Sequence, residues 1–348
     1  MTPTPTPAPG TPASGARFVD ALLEASVVGS FTRIGYQARR RLYRWSPLSS
    51  LRLDGKVAIV TGATSGLGRV AAELMARQGA KLCIVGRDPE RTERARGEIA
   101  AVTGSAVEAD LADLSLLSQT AAFAARFTET HDRLDILVLN AGALTHEYLV
   151  TAEGNEATLA THVLSQFLLT EALRPLLEAS APSRVVIVAS GGMYTEPLDV
   201  ENLDPAAGDY NGTRAYSRCK RAQVALAEEW TRHLRGTDVT VNAMHPGWAD
   251  TPGLQGALPG FRRILGPLVR TPEEGADTIV WLAAAPDVVG RSGLFFLDRR
   301  ARAKHRLRRT RRPDEAAEAA RLWQLCIDRT RAHLPRNVSG NDRPQRSG

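Results

Sequence analysis

"VAIVTGATSGLGRVAAELMARQG", residues 57–79, is a short apolar run, a glycine-rich turn and an amphipathic stretch in immediate succession. The run 57–61 has the continuous apolar character of a strand covered on both faces, and the stretch from 67 onward repeats with helical period. Gly62, Gly66 and Gly68 between them permit a tight turn and close approach of an anion to the N-terminus of the following helix, where free N–H groups and the helix dipole favour negative charge. The spacing is GxxxGxG, and no GK[ST] follows, so the turn is not a P-loop. Its place in a strand–turn–helix unit predicts nucleotide binding.

Working outward, the alternation repeats. Apolar runs at 81–86, 106–110, 134–140, 184–190, 239–245 and 293–298 are separated by amphipathic stretches near 89–102, 115–131, 153–180, 213–235 and 272–285. That pattern predicts one α/β domain over 51–298, a Rossmann-type, doubly wound parallel sheet with helices on both faces. The gaps 191–212 and 246–270 exceed an ordinary connection of roughly 2–6 residues. They follow strand C-terminal ends, where open α/β sheets bind ligands, so they are expected to form the substrate pocket.

Around this body lie a Pro/Thr/Ala-rich leader at 1–15, expected to be disordered, and a helical extension at 16–50. A basic segment and C-terminal helix occupy 299–334, and a tail at 335–348 is again expected to be disordered. The net charge of +6 is local: residues 299–312 hold nine basic residues and no acid, leaving the rest at −3. Nucleic acid is therefore not an expected partner. Cys83, Cys219 and Cys326 have neither disulfide-framework nor metal-ligand spacing, and no metal site is indicated. No apolar run reaches the roughly 18–20 residues of a membrane span, so an integral membrane protein is not expected and the cytoplasm is the expected compartment. Docking of the 18–45 helix on the body is favoured because apolar helices flanking a domain are usually packed; the alternative is a peripheral membrane contact through 18–45 and 299–312.

The reacting groups stand out against an Arg-rich background. Only four of the 44 basic residues are Lys, yet "YSRCK" at 216–220 sets Tyr216 and Lys220 four apart on one helix face. An ammonium stabilises a phenolate and lowers a phenol pKa that ordinarily lies near 10. Ser190, after the fifth apolar run, can hydrogen-bond a carbonyl oxygen that gains charge, although a serine there is usually only a turn residue. At the end of the second run Gly86 and Arg87 stand where a carboxylate would hold an NAD ribose; Arg87 suits a 2′-phosphate and favours NADP(H) over NAD(H), unless it is one more surface arginine. Asp110 is placed to reach the adenine edge or, alternatively, to cap the next helix.

Together "TGATSGLG" (61–68), "NAG" (140–142), Ser190, "YSRCK" and "HPGWADT" (245–251) resemble the short-chain dehydrogenase/reductase family. A closer likeness, through "ASGGM", "YSRCKRAQ", "MHPGWADTPG" and "GADT", is to its dehydrogenase/reductase SDR family member 12 group, and it extends to the helical extension. The resemblance implies seven parallel strands in order 3-2-1-4-5-6-7. It implies that Tyr216 is the general acid/base, Lys220 its pKa-lowering partner and ribose ligand, and Ser190 the group that orients the substrate oxygen. Cofactor is expected along Thr61, Gly62, Thr64, Ser65, Gly66, Leu67 and Gly68, then Arg87, Asp110 and Leu111, then Asn140, Ala141 and Gly142, and finally Pro246, Gly247 and Thr251. In one slot the chain departs from the pattern: "HVLSQFLLT" (162–170) has His162 where the family usually places a water-holding Asn, and an imidazole there could itself relay protons.

The expected activity is interconversion of an alcohol and its carbonyl by a nicotinamide cofactor. Met193, Tyr194, Trp248 and Leu254 are expected to line a lipophilic pocket for a small-molecule substrate. The alternative is a regulatory or scaffold protein that binds NADP(H) without turning over. The resemblance also suggests homo-oligomers, whose usual surfaces the extensions could block.

Overall fold

A computed structural model describes residues 14–257 and 266–334. Of the leader expected to be disordered over 1–15, residues 1–13 lie outside the described residues, as does the tail at 335–348, while Ser14 and Gly15 are helical and open the extension. The helical extension forms α1 (Ser14–Ala25), α2 (Val27–Phe31) and α3 (Arg33–Leu42). It is broken at Ser26 and Thr32, whose extended backbones N-cap α2 and α3. The body follows as β1 (Val57–Thr61), α4 (Gly66–Arg77), β2 (Lys81–Gly86), α5 (Pro89–Thr103), β3 (Val107–Leu111), α6 (Leu117–Thr130) and β4 (Ile136–Leu139). Next come α7 (Ala157–Leu159), a π-helical turn at Ala160–Leu164, α8 (Ser165–Ala179), β5 (Ser183–Val188), α9 (Gly212–His233) and β6 (Val239–Met244). The chain ends with α10 (Pro252–Ala257), α11 (Pro272–Ala284), β7 (Phe295–Leu297), β8 (Arg300–Ala301) and α12 (Glu315–Thr330).

The sheet order is β3-β2-β1-β4-β5-β6-β7-β8. Seven strands run parallel in the expected order. The eighth is a correction to the expected strand number: Phe296 and Leu297 pair antiparallel with Ala301 and Arg300 across a tight turn in which Asp298 and Arg299 both have φ near +55°. The first basic residues of the 299–312 segment therefore belong to the sheet edge.

Burial on both faces explains the apolar strands. β1 is buried throughout, and the sheet separates two cores. One gathers α4, α5 and α11 through Met75, Ile99 and Ile279; the other gathers α6, α8, α9 and α12 through Phe123, Phe167, Trp230 and Leu322. The alternation of Ala71, Ala72, Met75 and Ala76 along α4 lets that helix lie close on the sheet and aims its N-terminus at the end of β1.

The extension docks through charge as well as apolar contact. Arg39 is fully buried; its guanidinium donates to Asp20 at 2.7 Å, Asp298 at 2.7 Å, Glu24 at 3.0 Å and the Ser30 carbonyl at 3.0 Å. Arg270, also buried, donates to Asp298 at 2.6 and 3.0 Å and to the carbonyls of Ser30, Phe31 and Pro246. Asp298 thus lies between two guanidiniums that cannot reach water, an arrangement that tolerates no loss of a partner. The first part of the basic segment is likewise paired: Arg299 with Asp277, Arg302 with Asp20, Lys304 with Glu228 and Arg306 with Glu24. Among the described residues no helix is long and apolar enough to cross a membrane.

Candidate active site

The glycine turn sits against the end of β4. Gly62 has φ +65°, and a Cβ there would meet the Ala141 Cα at 2.8 Å, so only glycine lets the turn lie on the "NAG" segment. Asn140 locks the contact: its Nδ2 donates to the carbonyls of Thr61 and Gly62, while Thr61 Oγ1 accepts from the backbone N–H groups of Asn140 and Ala141. Ser65 N-caps α4 without a side-chain bond, leaving the first-turn N–H groups uncapped by it. Across the turn, Thr251 stands 3.5 Å from where a Gly66 Cβ would lie. The segment 246–251 therefore closes over the turn that the sequence reading assigned to cofactor. Gly247 (φ +76°) allows this path, and the space a side chain would need is filled by Arg270.

Beyond the end of β5, Ser190 turns the chain into a short 3-10 helix over Gly191–Tyr194, and its Oγ accepts from Gly192 N. On α9 the Tyr216 side chain stands near enough to Ser190 for the two side chains to interact. One turn further along α9, Lys220 is buried, donates from Nζ to the Val188 carbonyl at 2.8 Å, and lies 5.3 Å from the Tyr216 ring centroid. Burial drives the two groups toward their neutral forms. It raises the Tyr216 phenol above its ordinary 10 and lowers the Lys220 ammonium to about 7.

With this geometry in place the comparisons are specific. The short chain dehydrogenase family model matches residues 56–259. The chain is 34% identical over 303 residues to "Dehydrogenase/reductase SDR family member 12" of Bos taurus, covering 86% of this chain and 94% of that one. It is 37% identical over 266 residues to "Retinol dehydrogenase 14" of Mus musculus, covering 71% and 78%. A short chain dehydrogenase from Burkholderia cenocepacia J2315, solved in complex with NADP, superposes with a TM-score of 0.59 at 26% identity over 70% of this chain and 96% of that one. The chain is a short-chain dehydrogenase/reductase. Membership carries NAD(P)-dependent oxidoreduction of small molecules and binding of a nicotinamide cofactor.

Within this dehydrogenase/reductase, the slot that held a surprise in the sequence is the most constrained. His162 lies in the π-helical turn, a deviation that shifts side chains relative to a regular helix. Its ring packs on Gly142, where a Cβ would fall 2.1 Å from Cε1, and meets the Tyr216 ring edge-on with centroids 5.3 Å apart. His162 Nε2 lies 2.9 Å from the Ala143 carbonyl, which can only accept; Nε2 therefore carries the proton and Nδ1 is a bare acceptor. Nδ1 is buried and has no hydrogen-bond partner among the described residues. Burial, then the Lys220 charge, push the imidazole pKa down to about 3. Gln223 of α9 donates to the His162 carbonyl and holds the turn in place.

Other expected residues fall differently. Gly86 ends β2 and exposed Arg87 follows it, and the first acid after them, Asp88, is engaged as the N-cap of α5. Asp110 does not cap a helix, which corrects that alternative: it accepts from Leu111 N and pairs with Arg126 at 2.7 Å, while α6 is capped at Leu116. Met193 and Tyr194 are corrections as pocket residues. Met193 is fully buried; Tyr194 is 5% exposed, stacks with Phe31 and donates to the Ala303 carbonyl. The extension covers Tyr194 through Phe31. Trp248 remains half-buried, with its backbone N–H donating to the Phe31 carbonyl, and the Leu254 side chain lies outside the described residues.

Two contributors escaped the sequence reading. His245, the first residue of "HPGWADT", accepts from Gly191 N through Nδ1 and so fixes the backbone one residue after Ser190. Its position in the motif was a signal for it. Phe31, which packs edge-on to His245 at 4.4 Å and to Trp248 at 5.7 Å, carried no signal, because only the docking of the extension brings it here. Cys219 is fully buried and burial holds its thiol far above its usual range, so it packs rather than reacts.

Proposed function

We propose that this chain is an NADP(H)-dependent oxidoreductase that interconverts a lipophilic carbonyl compound and its alcohol. The observation carrying the proposal is the grouping of Ser190 and Tyr216 beside the end of β5, with Lys220 one helical turn further along α9 and held there by the Val188 carbonyl at 2.8 Å. A bound nicotinamide supplies or accepts the hydride. In the reducing direction Ser190 orients the carbonyl oxygen, and the Tyr216 O–H, protonated because burial raises its pKa, donates its proton as the oxygen becomes alkoxide. The phenolate left behind is stabilised by the Lys220 ammonium and regains its proton from that side. His162, locked in its Nε2–H tautomer with a pKa near 3, serves as a fixed hydrogen-bond acceptor in this proton path rather than as a group that carries charge.

The glycine turn, the uncapped start of α4 and Thr251 opposite Gly66 are the features a dinucleotide pyrophosphate needs. Preference for NADP(H) is supported by exposed Arg87 and by the use of Asp88 in capping, which leaves no carboxylate for a ribose 2′-OH at the end of β2. A lipophilic substrate is supported by half-buried Trp248 beside the site and by the similarity to a protein named retinol dehydrogenase.

The test is cofactor consumption with aldehydes and ketones of graded size, NADPH beside NADH. The proposal expects NADPH-dependent turnover that improves with apolar substrate size. Tight NADPH binding without oxidation by any carbonyl would overturn it in favour of a cofactor-binding regulatory protein.

A further inference from the structure

Helix α1 is amphipathic with its faces reversed. Its two carboxylates, Asp20 and Glu24, point into the body, where they meet Arg39, Arg302 and Arg306. Burial alone would raise the Asp20 pKa, but Arg302 and Arg39 bring it down to about 2, so this face is charged at any physiological pH. At about 100° per residue, Phe18, Val19 and Leu22 fall on the opposite side of the helix. They are 66%, 42% and 57% exposed, and Val27 and Val28 of α2 continue the face at 51% and 46%. A helix that only needed to dock would bury these side chains.

Within the extension the outward charge has one sign. Asp20 and Glu24 are the only acids between 14 and 46, and both are turned inward. The exposed charges of the extension are Arg17, Arg40, Arg41 and Arg44, together with Arg33, which is paired with Glu274 at 3.1 Å. Arg306, anchored on Glu24 and on Ser30 Oγ, leads directly into an exposed turn with Leu307, Arg308, Arg309 and Arg311. Of the nine basic residues in 299–312, these three arginines make no ion pair among the described residues.

We propose that the outward face of α1 and α2, with the 307–311 turn, is a docking surface for an anionic phospholipid membrane. The apolar side chains enter the acyl boundary and the guanidiniums meet lipid phosphates and carboxylates, the combination by which an interfacial helix lies in a membrane surface without crossing it. Positive charge without acids complements an anionic bilayer.

The experiment is flotation of the full chain with phosphatidylcholine vesicles with and without phosphatidylserine. The wild type is expected to float with the phosphatidylserine vesicles and to be released by high salt. Phe18→Glu/Leu22→Glu and, separately, Arg308→Glu/Arg309→Glu are expected to weaken partition at least about tenfold. Neither pair is buried, so the thermal midpoint should be unchanged. No flotation of the wild type, or flotation of both variants equal to wild type, overturns the proposal. A Phe18→Glu/Leu22→Glu variant that turns a dimer into a monomer by sedimentation velocity, while the wild type ignores vesicles, overturns it in favour of a second copy.

Discussion

Replacing Lys220 with methionine separates the catalytic role of this residue from its effect on stability. The side chain is 3% exposed and burial drops its pKa from 10.5 to about 7. At about 1.4 kcal/mol per pH unit, holding the protonated ammonium in the fold costs on the order of 5 kcal/mol relative to the unfolded chain. Methionine removes that cost and keeps an apolar stem, but it leaves the Val188 carbonyl without its donor, a loss of about 1–3 kcal/mol. The variant should therefore be more stable by roughly 2–4 kcal/mol below pH 7 while its turnover falls by at least about 100-fold. The sign follows from proton counts. Between pH 7 and 10.5 the unfolded lysine is protonated and the folded one is not, so wild-type stability rises with pH across that window, and the advantage of the variant shrinks and vanishes. Urea unfolding of cofactor-free protein near pH 6 and near pH 9 measures this directly. An advantage that is equal at both pH values, or a variant less stable than wild type near pH 6, would refute the reasoning.

Other perturbations address separate parts of the molecule. Tyr216→Phe removes the proton donor and keeps the ring against His162, so kcat should fall by roughly 100- to 10,000-fold with the Kd for NADPH nearly unchanged, as measured by fluorescence titration. Arg87→Asp places a carboxylate at the end of β2 and should lower the NADPH-to-NADH ratio of kcat/KM at least about tenfold; an unchanged ratio would remove Arg87 from cofactor selection. His162→Ala should reduce kcat more than it reduces cofactor affinity, and equal loss of both would make the residue merely structural. Asp298→Asn tolerates the positive φ but deprives Arg39 and Arg270 of their shared charge, for an expected loss of about 3 kcal/mol of stability in chemical unfolding.

Much of the fold was legible because it is written at short range. Period-3.6 and continuous apolar patterns locate the parallel strands and their helices, and the glycine turn is a local backbone requirement. The i, i+4 spacing of Tyr216 and Lys220 puts them on one face wherever the helix lies. The eighth strand was not legible: two residues, Arg300 and Ala301, carry no periodicity, and their pairing follows from the turn at Asp298 and Arg299. Met193 and Tyr194 read as pocket residues because they follow a strand end in a long loop. Tyr194 is instead covered by Phe31, more than 160 positions earlier in the chain.

The reach of the sequence and that of the tertiary structure divide at His162 and at the extension. By itself the sequence determined that the chain builds a dinucleotide-type α/β body carrying Ser190, Tyr216 and Lys220, because each of those signals is complete within a few residues. Only the tertiary structure decided that His162 donates to Ala143 and keeps Nδ1 bare, and that α1 turns its acids inward and its apolar residues out. Both depend on which partners meet in a low-dielectric interior, where an unpaired charge or polar group is too costly to leave alone. Arg39, Arg302 and Arg306 drew Asp20 and Glu24 to the inside of α1, and Phe18 and Leu22 were left facing out.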